Sequence, residues 1–197
     1  MFLLARSERY FPHVMSASTL TNITCFLFFI IYCSKDDNSQ NTTNNSIYGL
    51  TQEDIDQALI IHNNARSDVG VSSLKWSNDL SKDALVWAEQ MAREERMYHS
   101  ENVARPGQGE NLYYTTATDS LTSARNASQL WYEEIELYTY SPILSGENDF
   151  YEIGHYTQMI WKSTTEVGMA MAVSASGKTF VVARYTPQGN YRGEYPY

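Results

Sequence analysis

The sequence predicts an α/β (α+β) fold in which one sheet is covered by helices on both faces. The first observation is that three segments, between residues 51 and 135, repeat apolar residues at helical spacing. The second is the stretch "VGMAMAVSASGKTFVVARYTP" (167–187), which reads as two strands around a Ser176-Gly177 turn. The third lies in the first of those strands. Val167, Met169, Met171 and Val173 alternate with Gly168, Ala170 and Ala172, so both faces are apolar and both need cover. There is no internal repeat.

Taken in order, the chain opens with a leader. Residues 25–33 read "CFLFFIIYC", too short for a membrane-spanning helix of about 20 apolar residues but suited to the apolar core of a secretory signal. Arg6 and Arg9 precede it. The tract "CSKDDNSQNTTNNS" (33–46) has no apolar residue after Cys33 and cannot bury surface. It is expected to be a flexible tether. The organisation expected is therefore a leader over 1–32, a tether over 33–50 and one domain over 51–197.

Thr51 begins a helix whose inward stripe is Ile55, Leu59, His62 and Arg66, and Gly70 ends it. Polar residues on such a stripe need buried partners, so His62 and Arg66 read as structural hydrogen-bonders. Ser77 caps a second helix with Leu80, Ala84, Trp87 and Met91 facing in, and His99 falls at or just beyond its end. A third helix over 120–135 carries Ala124, Ala127, Trp131 and Glu134 on one face. Its Glu133 lies about 100° round and faces water. After a loop rich in Gly, Ser and Pro, "HYTQMIW" (155–161) should form a short helix before the two strands. The segment "GHYTQMIW" sets His155 among aromatic and apolar residues, with only Thr157 and Gln158 polar. Such a histidine is a core residue with satisfied nitrogens, a metal ligand, or half of an acid–base pair.

With 197 residues the chain has room for one domain and a leader, and residues 51–197 can bury about two-thirds of their unfolded surface. The net charge of −9 argues against nucleic acid or an anionic membrane surface as the main partner. Removing residues 1–32 would leave 12 basic against 22 acidic residues, hence −10. The two cysteines, Cys25 and Cys33, lie at the leader, so no disulfide staples the domain. Fifteen tyrosines suit a surface that mixes packing with hydrogen bonding.

Four segments resemble the motifs of the CAP superfamily (cysteine-rich secretory proteins, antigen 5 and plant pathogenesis-related proteins, the SCP domain). "HNNAR" (62–66) resembles its His-Asn-x-x-Arg element, "GENLYY" (109–114) its Gly-Glu-Asn element, "GHYTQMIW" its first signature and "YTPQGNY" (185–191) its second. They occur in the family's order. The resemblance implies a three-layer α-β-α sandwich with a central antiparallel sheet and a cleft. It maps the family's cleft tetrad onto His99, Glu110, Glu134 and His155. Without domain disulfides the chain is more similar to the cysteine-poor, Golgi-associated branch, whose segment before the second signature also reads like "FVVARY". It shows no cysteine-rich C-terminal module, so the activities tied to that module are not expected. At the other end, "IIYCSKDD" resembles the end of a bacterial lipoprotein signal of the Bacteroidetes type, which implies lipidation at Cys33.

Two imidazoles facing one cleft can bind a divalent cation, zinc being the natural choice, with His99 and His155 as ligands. Glu110 and Glu134 would orient them or activate a bound water, which makes these two the candidate catalytic groups. The same four side chains can equally form a structural network without chemistry. Asn63, Asn111 and Asn190 read as ties for loops, Tyr156, Trp161 and Tyr185 as core or cleft wall, and Pro187 and Gly189 as turn residues. No nucleophile sits in a recognisable elbow; Ser100 merely follows His99.

The function expected is a non-enzymatic binding module, exported and held outside the cell by its lipid as an outer-membrane or surface lipoprotein, or secreted. It would take a small apolar or sterol-like ligand or an extracellular partner protein, and touch membrane only through the anchor. The alternatives are a metal-dependent, peptidase-like hydrolase using the same cleft and a self-associating structural protein of the cell surface.

Overall fold

Thr51 starts the first helix by capping it: its hydroxyl accepts the Asp54 N–H at 3.1 Å. In the computed structural model, which describes residues 46–116 and 123–197, this helix α1 runs Gln52–Asp68. A two-residue strand β1 (Lys75–Trp76), helix α2 (Asn78–Glu94) and strand β2 (Gly109–Thr115) follow. Then come α3 (Ser123–Glu133), α4 (Phe150–Met159), β3 (Glu166–Val173) and β4 (Thr179–Thr186). The leader, Cys33 and the first residues of the expected third helix lie outside the described residues. The domain itself takes in residues 47–50, assigned above to the tether. Leu50 is fully buried and the Met171 N–H donates to the Tyr48 carbonyl at 3.0 Å. No helix among the described residues is long and apolar enough to cross a membrane.

The strand order is β1-β3-β4-β2. β3 and β4 pair antiparallel, as expected, and β2 joins β4 antiparallel, whereas the short β1 runs parallel to β3, so the sheet is mixed. Neither β1 nor β2 was legible beforehand. β1 is too short to show alternation, and "GENLYY" begins with three residues that disfavour strands.

The two-sided apolar pattern of β3 does its expected work. Met169, Val181, Ala183 and Tyr185 pack in a cluster with residues of α1, α3 and α4. Ala170, Phe180 and Val182 pack with Ala84, Ala88 and Met91 of α2. This is a helix–sheet–helix sandwich, and its fully buried side chains stabilise it by roughly 1.5–3 kcal/mol each. Gly168 has a packing reason: a Cβ there would stand 2.4 Å from the Ser77 carbonyl oxygen. Only glycine lets the start of α2 lie against β3. Ser77 holds the N-cap position of α2, but its side chain makes no capping hydrogen bond. Trp87, expected on the inward stripe of α2, is half-buried, and Ala88 occupies the core position.

Two tertiary ties fix the helical layer that carries the site. Asp54 is 2% exposed and accepts the N–H groups of Ala124 and Arg125 at 2.9 and 2.8 Å, so a carboxylate of α1 caps the start of α3. Arg66, fully buried, donates to four backbone carbonyls: Ser72 at 2.6 Å and Met159, Trp161 and Thr164 at 2.9 Å each. Its planar fork thereby caps the end of α4 and the turn after it. Burial lowers its pKa to about 10, which leaves it charged at neutral pH. Asn63 holds both backbone groups of Leu74, at 3.2 and 2.7 Å.

His62 is also fully buried. Its Nδ1 meets the Ala58 carbonyl at 2.8 Å, so that nitrogen carries the proton and Nε2 accepts from the Tyr185 hydroxyl at 2.8 Å. Burial lowers its pKa to about 4, with the Arg66 charge adding to the effect and the Ala58 bond opposing it.

Two outcomes are expected. Arg66→Ala should lower stability by about 3 kcal/mol, because four buried carbonyls lose a charged donor; urea unfolding measures it. For His62, the folded state stays neutral down to pH about 4 while the unfolded chain takes a proton near 6.5. Stability should therefore fall as pH drops through that window, by roughly 3 kcal/mol in total. Unfolding at several pH values should show a slope there that His62→Asn flattens.

Candidate functional site

The candidate site is built from two histidine–glutamate pairs that meet at one cleft. α2 ends where Glu95 turns left-handed, at φ 52°, and the chain then runs back along the sheet through His99. Its Nδ1 lies 2.7 Å from Glu110 Oε1. Glu110 stands on β2 opposite Arg184 of β4, so the two side chains share a face of the sheet. Arg184 Nη1 reaches Glu110 Oε2 at 2.8 Å. Ser100 completes the cage, its N–H donating to Oε1 at 2.9 Å and its hydroxyl to Oε2 at 2.8 Å. Burial pushes the Glu110 carboxyl up, but the His99 bond, the Arg184 charge and the Ser100 bonds outweigh it and hold the carboxyl below its usual range.

The second pair comes from the helical layer. Glu134 opens the short 3-10 turn (Glu134–Leu137) that continues α3. It faces in, whereas Glu133 is exposed. Its Oε1 lies 2.6 Å from His155 Nδ1, and its Oε2 accepts the N–H groups of His155 and Tyr156 at 2.9 Å each. The Trp131 ring stacks on His155 at 5.8 Å between centroids and 23° between planes. α4 begins at Phe150, five residues earlier than expected, because Asp149 caps it by accepting the Tyr151 N–H at 3.0 Å. His155 therefore sits in mid-helix, where its ring is held on one face, and Ile160 and Trp161 fall beyond the helix end.

His99, Glu110 and His155 all line one cleft of about 420 Å³, whereas Glu134 lies behind His155 and does not. Side-chain exposure is 58% for His99 and 29% for His155. Each ring spends Nδ1 on its carboxylate, so Nε2 remains as the nitrogen with a lone pair for a ligand. Among the described residues no three or more His, Cys, Asp or Glu side chains group closely enough to hold a metal ion. The donor set is thus two imidazoles, which fits a partly open cation site and not a closed structural one.

The remaining residues singled out by sequence support this cleft. Asn111 donates to the His155 carbonyl and to the Tyr185 hydroxyl, both at 3.1 Å. Gln158 accepts the Gly189 N–H at 2.9 Å and donates to Thr164 at 3.2 Å. Asn190 donates to the Gly154 carbonyl at 2.8 Å and accepts from Thr157 at 2.8 Å. The Pro187 carbonyl accepts the Thr164 hydroxyl at 2.8 Å. A Cβ on Gly189 would stand 2.6 Å from the Trp161 ring, so glycine is required there. Trp161 and Tyr156 are buried. Sequence reasoning passed over Arg105 and Arg184, and weighed Ser100 only as a nucleophile, not as a partner of Glu110. The signal for Arg184 was present: a charge inside the apolar strand "FVVARY" demands a buried partner.

The sequence pattern of the CAP, or cysteine-rich secretory protein, family matches residues 59–185. Pathogenesis-related protein 1A of Nicotiana tabacum is 36% identical over 140 residues, covering 71% of this chain and 78% of that protein. Golgi-associated plant pathogenesis-related protein 1 of Homo sapiens is 33% identical over 140 residues, covering 70% and 85%. Among solved structures, Na-ASP-1 superposes with a TM-score of 0.67 at 30% identity, over 80% of this chain but only 44% of that one. NaASP2, solved with Zn2+, gives 0.66 at 27% identity, over 76% and 87%. The motifs, the sandwich and these matches agree: the chain belongs to the cysteine-rich secretory protein family.

Proposed function

We propose that this protein is an exported, lipid-anchored binding module whose cleft takes a divalent cation, zinc in the first place, through His99 and His155. The observation that carries it is the pair of imidazoles, each locked at Nδ1 by its own carboxylate and each lining the same cleft. Glu110 and Glu134 would set the tautomers and raise ligand basicity. The relative solved with Zn2+ supports the choice of metal. When bound, the cation would supply a positive centre for a ligand's oxygen or nitrogen atoms.

A binding role is favoured over hydrolysis by the state of the carboxylates. Both Glu110 oxygens are filled by His99, Ser100 and Arg184. Both Glu134 oxygens are filled by His155 and two backbone N–H groups. Glu110 has no acceptor position left for a proton from water, and Glu134, which takes one bond at Oε1 and two at Oε2, lies outside the cleft lining. The Ser100 hydroxyl is spent on Glu110 and buried. The cleft lining, amide-rich with Phe150 and Tyr151 alongside, suits a small amphipathic ligand better than a wholly apolar one. Export rests on the leader and on "CSKDD" at Cys33.

Titration calorimetry with zinc at neutral pH should show binding in the wild type. His155→Ala should abolish it, and Glu134→Gln should weaken it by about 10–100-fold, the usual effect of a group behind the ligand. The affinity should drop as the pH is lowered, since only a neutral imidazole is a ligand. No zinc heat in the wild type leaves the tetrad as a structural network. Separately, Cys33→Ala should move the protein from the membrane fraction to the soluble extract, and continued sedimentation with membrane would rule out that anchor.

A further inference from the structure

Arg105 follows the 3-10 turn Asn102–Ala104 and lines the cleft beside His99. Its guanidinium is fixed at two nitrogens: Nε donates to the Ser100 carbonyl at 3.2 Å and Nη1 to the Gln108 carbonyl at 2.7 Å. Both acceptors are neutral backbone groups, so they orient the fork without cancelling its charge. Nη2 has no partner among the described residues, and the side chain is 16% exposed. The nearest carboxylate oxygen, Glu110 Oε1, lies 3.8 Å from Nε and already serves His99 and Ser100. The Glu110 charge is matched by Arg184 at 2.8 Å. Glu134 lies behind His155, outside the lining, with both oxygens taken. Asp83, which acts on Arg184 and accepts the Gln108 amide at 2.8 Å, offsets charge here as well, so what Arg105 offers the cleft is an oriented, open donor nitrogen.

Neutral donors stand with it. The Gln188 N–H donates to the Gly107 carbonyl at 3.0 Å, which draws the loop after β4 against the turn that carries Arg105. Gln188 and Asn102 line the cleft, and their side-chain amides make no hydrogen bond among the described residues. From α4 the lining adds Phe150 and Tyr151, the latter 92% exposed.

We propose that Arg105, with Asn102 and Gln188, forms a carboxylate subsite in this cleft. The open Nη2, held in a fixed direction by the two bonded nitrogens, can donate a charge-assisted hydrogen bond to a carboxylate oxygen. One open guanidinium nitrogen flanked by neutral amides suits a monoanion, whereas a phosphate dianion would bring a second charge up beside Glu110. The ligand's apolar body would lie against Phe150 and Tyr151. The carboxylate could belong to a small organic acid or to a peptide C-terminus; the recognising chemistry is the same. The inference rests on the cleft being a binding site but not on the metal.

The test uses the detergent-solubilised full-length chain with a chelator present, titrated by calorimetry at neutral pH and low salt. Benzoate should bind with one-to-one stoichiometry and more tightly than inorganic phosphate. Arg105→Gln should weaken benzoate by tenfold or more, and Arg105→Lys by less, since it keeps the charge but loses the fork. A tripeptide with a free C-terminus, compared with its amidated twin, separates the two sources: a peptide source predicts that only the free acid binds, an organic-acid source that neither does while benzoate still does. Should Arg105→Gln not fold, the double variant Asn102→Ala and Gln188→Ala should still weaken benzoate several-fold. Wild type that ignores benzoate at millimolar concentration, or a folded Arg105→Gln that binds it unchanged, overturns the subsite. Benzoate heat without any zinc heat removes the metal and leaves the subsite; zinc heat without benzoate heat does the reverse.

Discussion

The cleft depends on the alternation of side chains along one strand. At the end of β4, Arg184 and Tyr185 are neighbours in sequence and therefore point to opposite faces of the sheet. Arg184 pairs with Glu110, whose other oxygen orients His99. Tyr185 receives Asn111, which also holds the carbonyl of His155. Two adjacent residues thus anchor the two walls of one cleft. A slip of β4 by one residue would exchange their faces and break both ties at once.

The second wall needs more support, because α4 is short and its histidine must be held at a set depth. Arg66 supplies it from below through the carbonyls of Met159, Trp161 and Thr164. Trp131 supplies it from the side: its ring stacks on His155 while its indole N–H donates to the Leu112 carbonyl of β2 at 3.2 Å. The same β2 carries Glu110. The helical layer and the sheet edge are therefore fastened to each other within a few ångströms of the site. Buried polar groups are expensive unless each finds a partner, and here nearly every one does. The exceptions among the described side chains are single atoms of Gln108 and Arg184.

This saturation bears on function. A glutamate acting as general base needs a carboxylate oxygen with an unfilled position aimed at the substrate. The two glutamates have their oxygens filled by the protein. What remains open is one nitrogen on each histidine, one nitrogen of Arg105 and two side-chain amides. In the proposed reading these are the groups that hold a ligand in place.

Much of the fold was legible beforehand because it rests on local periodicity. The double-sided apolar pattern of β3 announced helices on both faces, and Thr51 and the α1 stripe marked the first helix within a residue. Glu134 could be separated from Glu133 by helical geometry alone, since one residue rotates a side chain by about 100°. The strand β2 was not legible, because "GENLYY" opens with residues that gain strand character only by pairing with β4. The start of α4 at Phe150 depends on a cap that the sequence presents as one of many polar loop residues. The roles of Arg184 and Ser100 around Glu110, and the open nitrogen of Arg105, appear only when strands, turn and helix come together in space. Sequence by itself determined which faces must be buried, since apolar spacing is local. Which charges cancel and which stay open to a ligand was decided by the tertiary structure alone, since electrostatic pairing depends on distances between residues far apart in the chain.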